Sequence, residues 1–463
     1  MLDDSRRGFL KTVSVAAGAT SVGGIAIAQE ATGADQWEQP HGWTAFREGP
    51  QRTGAIAEAG PAPYATTDWT LPLDGTMRTG SQGHVAEPVL ADGTLYLAVA
   101  TETGTYDSTG YVVAYDSTTG DQLWKRTDLP APRTPAVGDE MLYVATNPPT
   151  ISQDGHGGFV ALDADTGETG WYRDDHLDWA DPLLAAGNLY TSRLARSADD
   201  QSVCQLDPST GETIWKTDTV GGQISYATGT LFVSTGSALD ANDGSVQWNV
   251  SAETGGGATV QTVRDGRVFG IERREGENEY VIQSRSTVDG TLRWMYPFVG
   301  DEDDEYISRL AVDDERVYFV THVGDPTNAG GRSTTITALA AETGTLQWRY
   351  ETDAYLAGDP TVADGTLYVG GKYGPASSPD PEVPAYYNGL VFAIDAASGE
   401  YEWGYVLDSE NTAGTPVVVD ETVYTATYDP TELEAEYIDA TLYALESSTD
   451  RPDAAHRPGN DAC

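Results

Sequence analysis

The sequence predicts an all-β fold, an eight-bladed β-propeller of four-stranded antiparallel blades. Three observations predict it: a repeat that recurs along the chain, a turn motif at fixed spacing inside it, and two blade fragments at opposite ends. A recurring period decides the architecture before local propensity does, because one repeat cannot bury its apolar faces alone.

The turn motif is written most fully as Ala114-Tyr115-Asp116-Ser117-Thr118-Thr119-Gly120, with Trp124 four residues after the glycine. Looser copies run from Asp163 to Gly167 and Trp171, Asp207 to Gly211 and Trp215, Asp240 to Gly244 and Trp248, and Asp395 to Gly399 and Trp403. Two more replace the aspartate: Ser286 precedes Gly290 and Trp294, and Ala340 precedes Gly344 and Trp348. Aspartate accepts hydrogen bonds from the turn's own backbone, and glycine takes the left-handed conformation that a side chain resists. Each tryptophan, including Trp69 before the first repeat, is expected to bury its ring between neighbouring blades as a structural docking residue.

Two further strands precede each motif. In Val89-Leu90-Ala91-Asp92-Gly93-Thr94-Leu95-Tyr96-Leu97 an Asp-Gly pair between apolar runs signals a hairpin. The blade is therefore strand a, Asp-Gly turn, strand b, variable loop, strand c, Asp-x-x-Thr-Gly turn and strand d.

An eighth copy begins at Thr415 and reaches Thr449, but stops before any glycine or tryptophan. Asp68-Trp69-Thr70-Leu71 is a lone strand-d segment ahead of the first complete blade. Joining the two completes the eighth blade and removes an exposed sheet edge. The interval (403 − 69)/7 is about 48 residues, within the range of propeller repeats.

Ser5-Arg6-Arg7-Gly8-Phe9-Leu10-Lys11, followed by a Gly/Ala-rich stretch ending at Ala26-Ile27-Ala28, predicts a twin-arginine signal peptide over residues 1–28. The stretch is too short and too glycine-rich for a transmembrane span, so none is expected in the mature chain. Residues 29–65 then form an N-terminal extension, 66–450 the propeller, and 451–463 a tail.

Charge excludes one partner class. With 72 acidic against 26 basic residues the formal net charge is −46, so nucleic acid is not expected as a ligand. Lysine is scarce (Lys11, Lys125, Lys216, Lys372), a balance resembling proteins of extreme halophiles. At roughly molar salt the Debye length falls to about 3 Å, and crowded carboxylates no longer repel strongly.

Hydrolase and kinase chemistry lacks its motifs: there is no His-x-x-x-His pair, no Gly-x-Ser-x-Gly elbow and no Walker loop. Cys204 and Cys463 have no partner at motif spacing. Asp240–Gly244 and Asp301–Glu305 are acidic loops, but neither has the ligand spacing of an EF-hand.

The pattern Ala-x-Asp-x-x-Thr-Gly-x-x-x-Trp resembles the tryptophan-docking repeat of the pyrroloquinoline-quinone (PQQ) type over about residues 37–450. Quinoprotein dehydrogenases share it with exported haloarchaeal proteins and with the propeller lipoprotein of bacterial outer-membrane assembly. The resemblance implies the fold, and two functions. One is a non-enzymatic binding or scaffold propeller of the cell envelope or extracellular space, with an envelope protein, peptide or glycan as partner. The alternative is a PQQ- and calcium-dependent dehydrogenase. Many such enzymes cover the quinone with two adjacent cysteines, and this chain has neither that pair nor a Cys-x-x-Cys-His haem motif. No cofactor is therefore expected, and no catalytic, cofactor or metal residue is assigned.

Alternating strand direction puts the strand b to c loops on the same face as the connections between blades. The loops are long at 101–110, 147–157, 192–202, 371–388 and 427–439. Binding is expected where variable loops ride on a rigid scaffold. Arg78, His84, Arg133, His176, Trp179, Glu410 and Asn411 are the candidate binding residues of that face.

The −46 charge carries a prediction. The unfolding midpoint followed by tryptophan fluorescence should fall as salt is lowered from roughly molar to roughly 0.1 M, because weaker screening strengthens self-repulsion. An unchanged midpoint would contradict the salt-adapted reading.

Overall fold

The computed structural model describes residues 40–73, 78–79, 84–85, 87–103, 108–138, 140–146, 158–176, 178–194, 201–218, 220–250, 259–274, 279–299, 305–323, 333–373, 388–428 and 440–451. These residues form strands and turns, and among them no helix is long and apolar enough to cross a membrane.

Blade 1 shows the unit. Strand a is Val89–Ala91, b is Thr94–Thr103, c is Ser108–Asp116 and d is Gln122–Arg126, all antiparallel to their neighbours. Strands a of blades 2 to 8 are Ala136–Gly138, Leu183–Ala185, Ile224–Ala227, Thr259–Arg264, Ala311–Val312, Thr361–Ala363 and Val417–Val419. Eight such sheets make the propeller, as the repeat predicts.

The strand a to b turn places Asp92 at φ 47° and Gly93 at φ 82°, a hairpin geometry that needs two left-handed residues. In the c to d turn, Asp116 Oδ1 accepts the N–H of Thr118 (3.0 Å) and Thr119 (2.9 Å), and Asp116 O accepts the N–H of Gly120 (2.9 Å).

The glycine of this turn has a second duty that its conformation alone does not reveal. A Cβ added at Gly167 would stand 2.6 Å from the ring of Trp124, and one at Gly211 2.6 Å from Trp171. Seven of the docking tryptophans, from Trp69 to Trp348, therefore lie on the turn glycine of the next blade, and Trp403 faces blade 8, whose turn has no glycine. Trp124 Nε1–H donates to Ala164 O (2.8 Å), Trp171 to Pro208 O (2.8 Å), Trp294 to Ala341 O (2.9 Å) and Trp348 to Ala396 O (3.0 Å). Trp215, beside Gly244, has the same seat, yet its buried N–H finds no acceptor. Trp403, 2% exposed, packs against Tyr368.

The ring closes between distant parts of the chain. Tyr64–Pro72 pairs with Thr441–Ser448 from Tyr64↔Ser448 to Pro72↔Thr441, with a bulge between Thr67 and Trp69. Trp69 docks forward onto blade 1, donating to Ser117 O (3.3 Å). The apolar cluster at this seam mixes Leu95, Val99 and Tyr111 of blade 1 with Val417, Leu442 and Ala444 of blade 8.

Deleting residues 66–73 should leave Thr441–Ser448 as an open edge, giving a lower thermal midpoint and aggregates by light scattering. A monomeric truncation of unchanged midpoint would contradict closure by this strand.

Candidate functional site

Strand a is the innermost strand of each blade, so one of its edges has no strand partner and its N–H groups face the propeller axis. Buried N–H groups require acceptors. The chain supplies them itself. Leu90 N–H donates to Trp43 O (2.9 Å), Val137 to Thr44 O (2.9 Å), Tyr226 to Pro50 O (2.7 Å), Val263 to Gln51 O (3.1 Å), Val312 to Thr53 O (2.9 Å) and Val362 to Gly54 O (2.9 Å). These donors occupy one repeated position in blades 1, 2, 4, 5, 6 and 7. Blade 3 is reached by Arg52, whose guanidinium donates to Asp181 O and Pro182 O (both 3.3 Å). Blade 8 is reached by Glu58, which accepts the Asp420 N–H (2.8 Å). Residues 41–58 therefore touch all eight blades and plug the axis. The segment from 40 to 58, expected to be part of an extension outside the propeller, is its centre.

Left-handed conformations at Arg47 (φ 59°), Glu48 (φ 77°) and Arg52 (φ 55°) let the plug turn within the narrow channel, a strain that such a site must hold against. Ala55–Ile56 then runs parallel to Thr361–Ala363 as a fifth strand on blade 7.

Charges hold the plug in place. Arg47 is 2% exposed and Glu87 1%. Glu87 Oε2 accepts the Arg47 N–H (2.7 Å) and Trp43 Nε1–H (3.2 Å), while Arg47 Nη1 faces Glu87 Oε1 at 3.7 Å. Arg47 Nη2 donates to Leu310 O (3.1 Å) and Pro360 O (2.6 Å). Burial pushes the Glu87 carboxyl up, with Arg47 pulling it back. Arg52 donates to Ile224 O (2.5 Å) and Phe46 O (3.3 Å), and burial lowers its guanidinium to about 10. Burial likewise raises Glu48 to about 7.

Three residues before the repeated donor position, just ahead of strand a in blades 3, 4, 6, 7 and 8, stands a polar group that completes the site. Asp181, Gln223, Arg309, Asp359 and Thr415 link blade to blade: Gln223 Nε2 donates to Asp181 Oδ2 (3.0 Å), Arg309 Nη1 to Gln223 Oε1 (2.8 Å), Arg309 N to Asp359 Oδ1 (2.8 Å) and Asp359 N to Thr415 Oγ1 (3.1 Å). The guanidiniums of Arg309 and Arg52 lie 4.9 and 5.3 Å from the Phe46 ring centroid. The arrangement binds a peptide backbone and encloses cations.

His41, Glu58 and Asp420 are the one group of His and carboxylate ligand atoms that converges among the described residues, within 4.8 Å of one another. His41 Nε2 is 2.9 Å from Glu58 Oε1, so the two ends of the plug meet at the surface. Asp240–Gly244 is a strand c to d turn, in which Asp240 Oδ1 accepts the Asn242 N–H (2.9 Å). In the second acidic loop, residues 301–304 lie outside the described residues.

The residues proposed for the variable face separate into groups. Arg78–Thr79 and His84–Val85 form a two-stranded ladder, and their side chains lie outside the described residues. Arg133, His176 and Trp179 meet between blades 2 and 3, while Glu410 and Asn411 lie apart on the connection from blade 7 to blade 8. Trp179 is 0% exposed. Its ring lies near the guanidiniums of Arg173 (5.2 Å) and Arg193 (5.1 Å), and its N–H donates to His176 O (2.8 Å), so it packs the scaffold and offers no surface. Arg133, 9% exposed, reaches Asp178 Oδ1 at 3.3 Å. Burial lowers the His176 pKa. Residues 104–107, 147–157, 195–200, 374–387 and 429–439 of the variable loops lie outside the described residues.

The axial residues carry no repeat signal, which is why sequence reading passed over them. The available clue was local: Arg47 and Arg52 stand five residues apart in a chain with only 26 basic residues.

Replacing Arg47 by Leu should lower the urea midpoint by the equivalent of about 3–5 kcal/mol, because it strands the Glu87 carboxylate in the interior. Arg47→Leu with Glu87→Gln should recover most of that loss, since the neutral amide still accepts from Trp43 and from residue 47's backbone N–H. Equal losses in the single and double variants would contradict a buried charge pair.

No curated protein matches the chain's sequence. Among solved structures it is similar to the quinohemoprotein alcohol dehydrogenase ADHIIG of Pseudomonas putida HK5, at 14% identity over 91% of this chain and 82% of that one, with a TM-score of 0.60. It is similar to BamB of Moraxella catarrhalis at 14% identity, covering 84% of this chain and 100% of that one, TM-score 0.54. A europium-containing methanol dehydrogenase aligns at 13% identity over 88% of this chain and 98% of that one, TM-score 0.59. At such identities these likenesses show the fold. The family model described as outer membrane protein assembly factor BamB matches residues 21–194, 199–302 and 332–450, most of the sequence, and the chain belongs to that family of PQQ-type repeat propellers.

Proposed function

We propose that the protein is a non-enzymatic binding propeller of the cell envelope or extracellular space, which presents its variable face to an envelope protein, a peptide or a glycan. The observation that carries this reading is the filled axis. Six strand-a N–H groups and the buried Arg47–Glu87 pair hold residues 41–58 in the volume that a channel-bound ligand would need.

The quinoprotein reading draws support from two of the structural likenesses. The axial residues do not fit its cofactors. A quinone bearing carboxylates needs cations and an open aromatic face. Arg47 and Arg52 are instead held by main-chain carbonyls, and the Phe46 ring has Arg52 and Arg309 packed against it. Calcium takes six to eight oxygen ligands, and the axial carboxylates Glu87, Asp181 and Asp359 do not converge on one point. The match to the family model described as outer membrane protein assembly factor BamB and the expected signal peptide support an envelope or extracellular role.

Titrating the full chain with PQQ and calcium in molar salt should give no saturable change in quinone absorbance and no dye reduction with alcohols or sugars. Micromolar quinone binding coupled to dye reduction would overturn the binding-propeller reading.

A further inference from the structure

The register of the blades allows each position to be compared with its seven counterparts, and blade 5 departs from the others at one place. The residue just before the strand c to d turn is Tyr115, Leu162, Leu206, Leu239, Leu339 and Ile394 in blades 1, 2, 3, 4, 6 and 7, and Leu445 in blade 8. All are buried and apolar. In blade 5 it is Arg285, 8% exposed. Two positions earlier, Gln283 faces Gly270, where blade 1 pairs Val113 with Leu97 and blade 2 pairs Val160 with Val144. Glu272, 8% exposed, stands where blade 1 has Val99.

These changes act together. Between blades 4 and 5 lies a cleft of about 610 Å³, lined by Asn249 and Val250 of blade 4 and by Glu272, Gln283, Arg285, Asp289 and Met295 of blade 5. Arg285 Nε–H donates to Gln283 Oε1 (2.9 Å) and Nη1–H to Gly290 O (3.0 Å), which fixes the guanidinium. Gln283 Nε2–H reaches Glu272 Oε2 at 3.4 Å. An amide thus holds a cation and an anion apart on one wall of a cleft of ligand-binding size. At the Arg285 position a buried charged side chain has a desolvation cost that the seven sister blades, all apolar there, avoid. Sites that break their own local rule are where function is found.

We propose that this cleft binds a small zwitterion, a free α-amino acid, with its carboxylate on Arg285 and its ammonium on Glu272. A lone anion would meet the carboxylates of Glu272 and of Asp289 at the cleft's rim, and a lone cation would meet the Arg285 guanidinium. Only a molecule carrying both charges a few ångströms apart complements the pair. The absence of an aromatic ring among the lining residues disfavours a sugar, which needs a flat apolar platform. This site is separate from the axial plug.

The test is calorimetric titration of the full chain in molar potassium chloride with each of the twenty L-amino acids, then with the N-acetyl and C-terminal amide derivatives of any that binds. At least one amino acid should bind more tightly than about 1 mM, and each derivative should bind at least about tenfold more weakly, since it has lost one of the two charges. Arg285→Leu restores the sister-blade residue, and Glu272→Val with Gln283→Val and Arg285→Leu rewrites the wall as in blades 1 and 2. Both should abolish binding while matching or raising the thermal midpoint. Failure of every amino acid to bind, equal binding of the blocked derivatives, or binding that survives in the triple variant would each overturn the proposal.

Discussion

The inner edges of the eight blades impose the constraint on which the rest of the molecule depends. A propeller closes its outer edges by circularity, yet every strand a still turns a row of N–H groups toward the axis, and those groups cannot remain unpaired once water is excluded. Here the chain answers with its own N-terminal segment. Carbonyls of Trp43, Thr44, Pro50, Gln51, Thr53 and Gly54 each meet an equivalent donor on a different blade. Because no two of these blades repeat a contact, the segment has to bend continuously around the axis, and left-handed Arg47, Glu48 and Arg52 supply the bends.

Such a plug removes charge from water, and the cost is offset by local pairing. Arg47 is held between two main-chain carbonyls and faces Glu87, which in turn accepts from Trp43. Arg52 is surrounded by carbonyls of the plug and of blades 3 and 4. A buried guanidinium in this setting specifies one seating of the segment: sliding it by a residue would separate Arg47 from Glu87 and leave both desolvated. Two closures, the axial plug and the Tyr64–Pro72 strand, thus come from one stretch of about thirty residues, which also adds Ala55–Ile56 to blade 7 and completes blade 8.

What could be read beforehand follows the repeat. The blades, the turn chemistry, the eight docking tryptophans and the closing strand are periodic or complete a period, so local residue types were enough to find them. The plug is not periodic. Its contacts span as much as 362 residues, as between Glu58 and Asp420, and no spacing rule anticipates them. Trp179 failed for a different reason: a tryptophan near arginines fits a binding face as well as it fits a packed core, and only burial distinguishes the two. Arg285 was hidden by the repeat itself, because alignment by turn and tryptophan draws the eye away from the one apolar column in which it stands out.

The central claim is that residues 41–58 bind the inner strands as an integral part of the propeller, and amide hydrogen exchange tests it most directly. In the full chain the amides of Leu90, Val137, Tyr226, Val263, Val312 and Val362 should exchange slowly and as one set, with a common opening free energy, because one segment covers all six. Exchange at these positions at the rate of open edge strands, or protection differing independently from blade to blade, would contradict it.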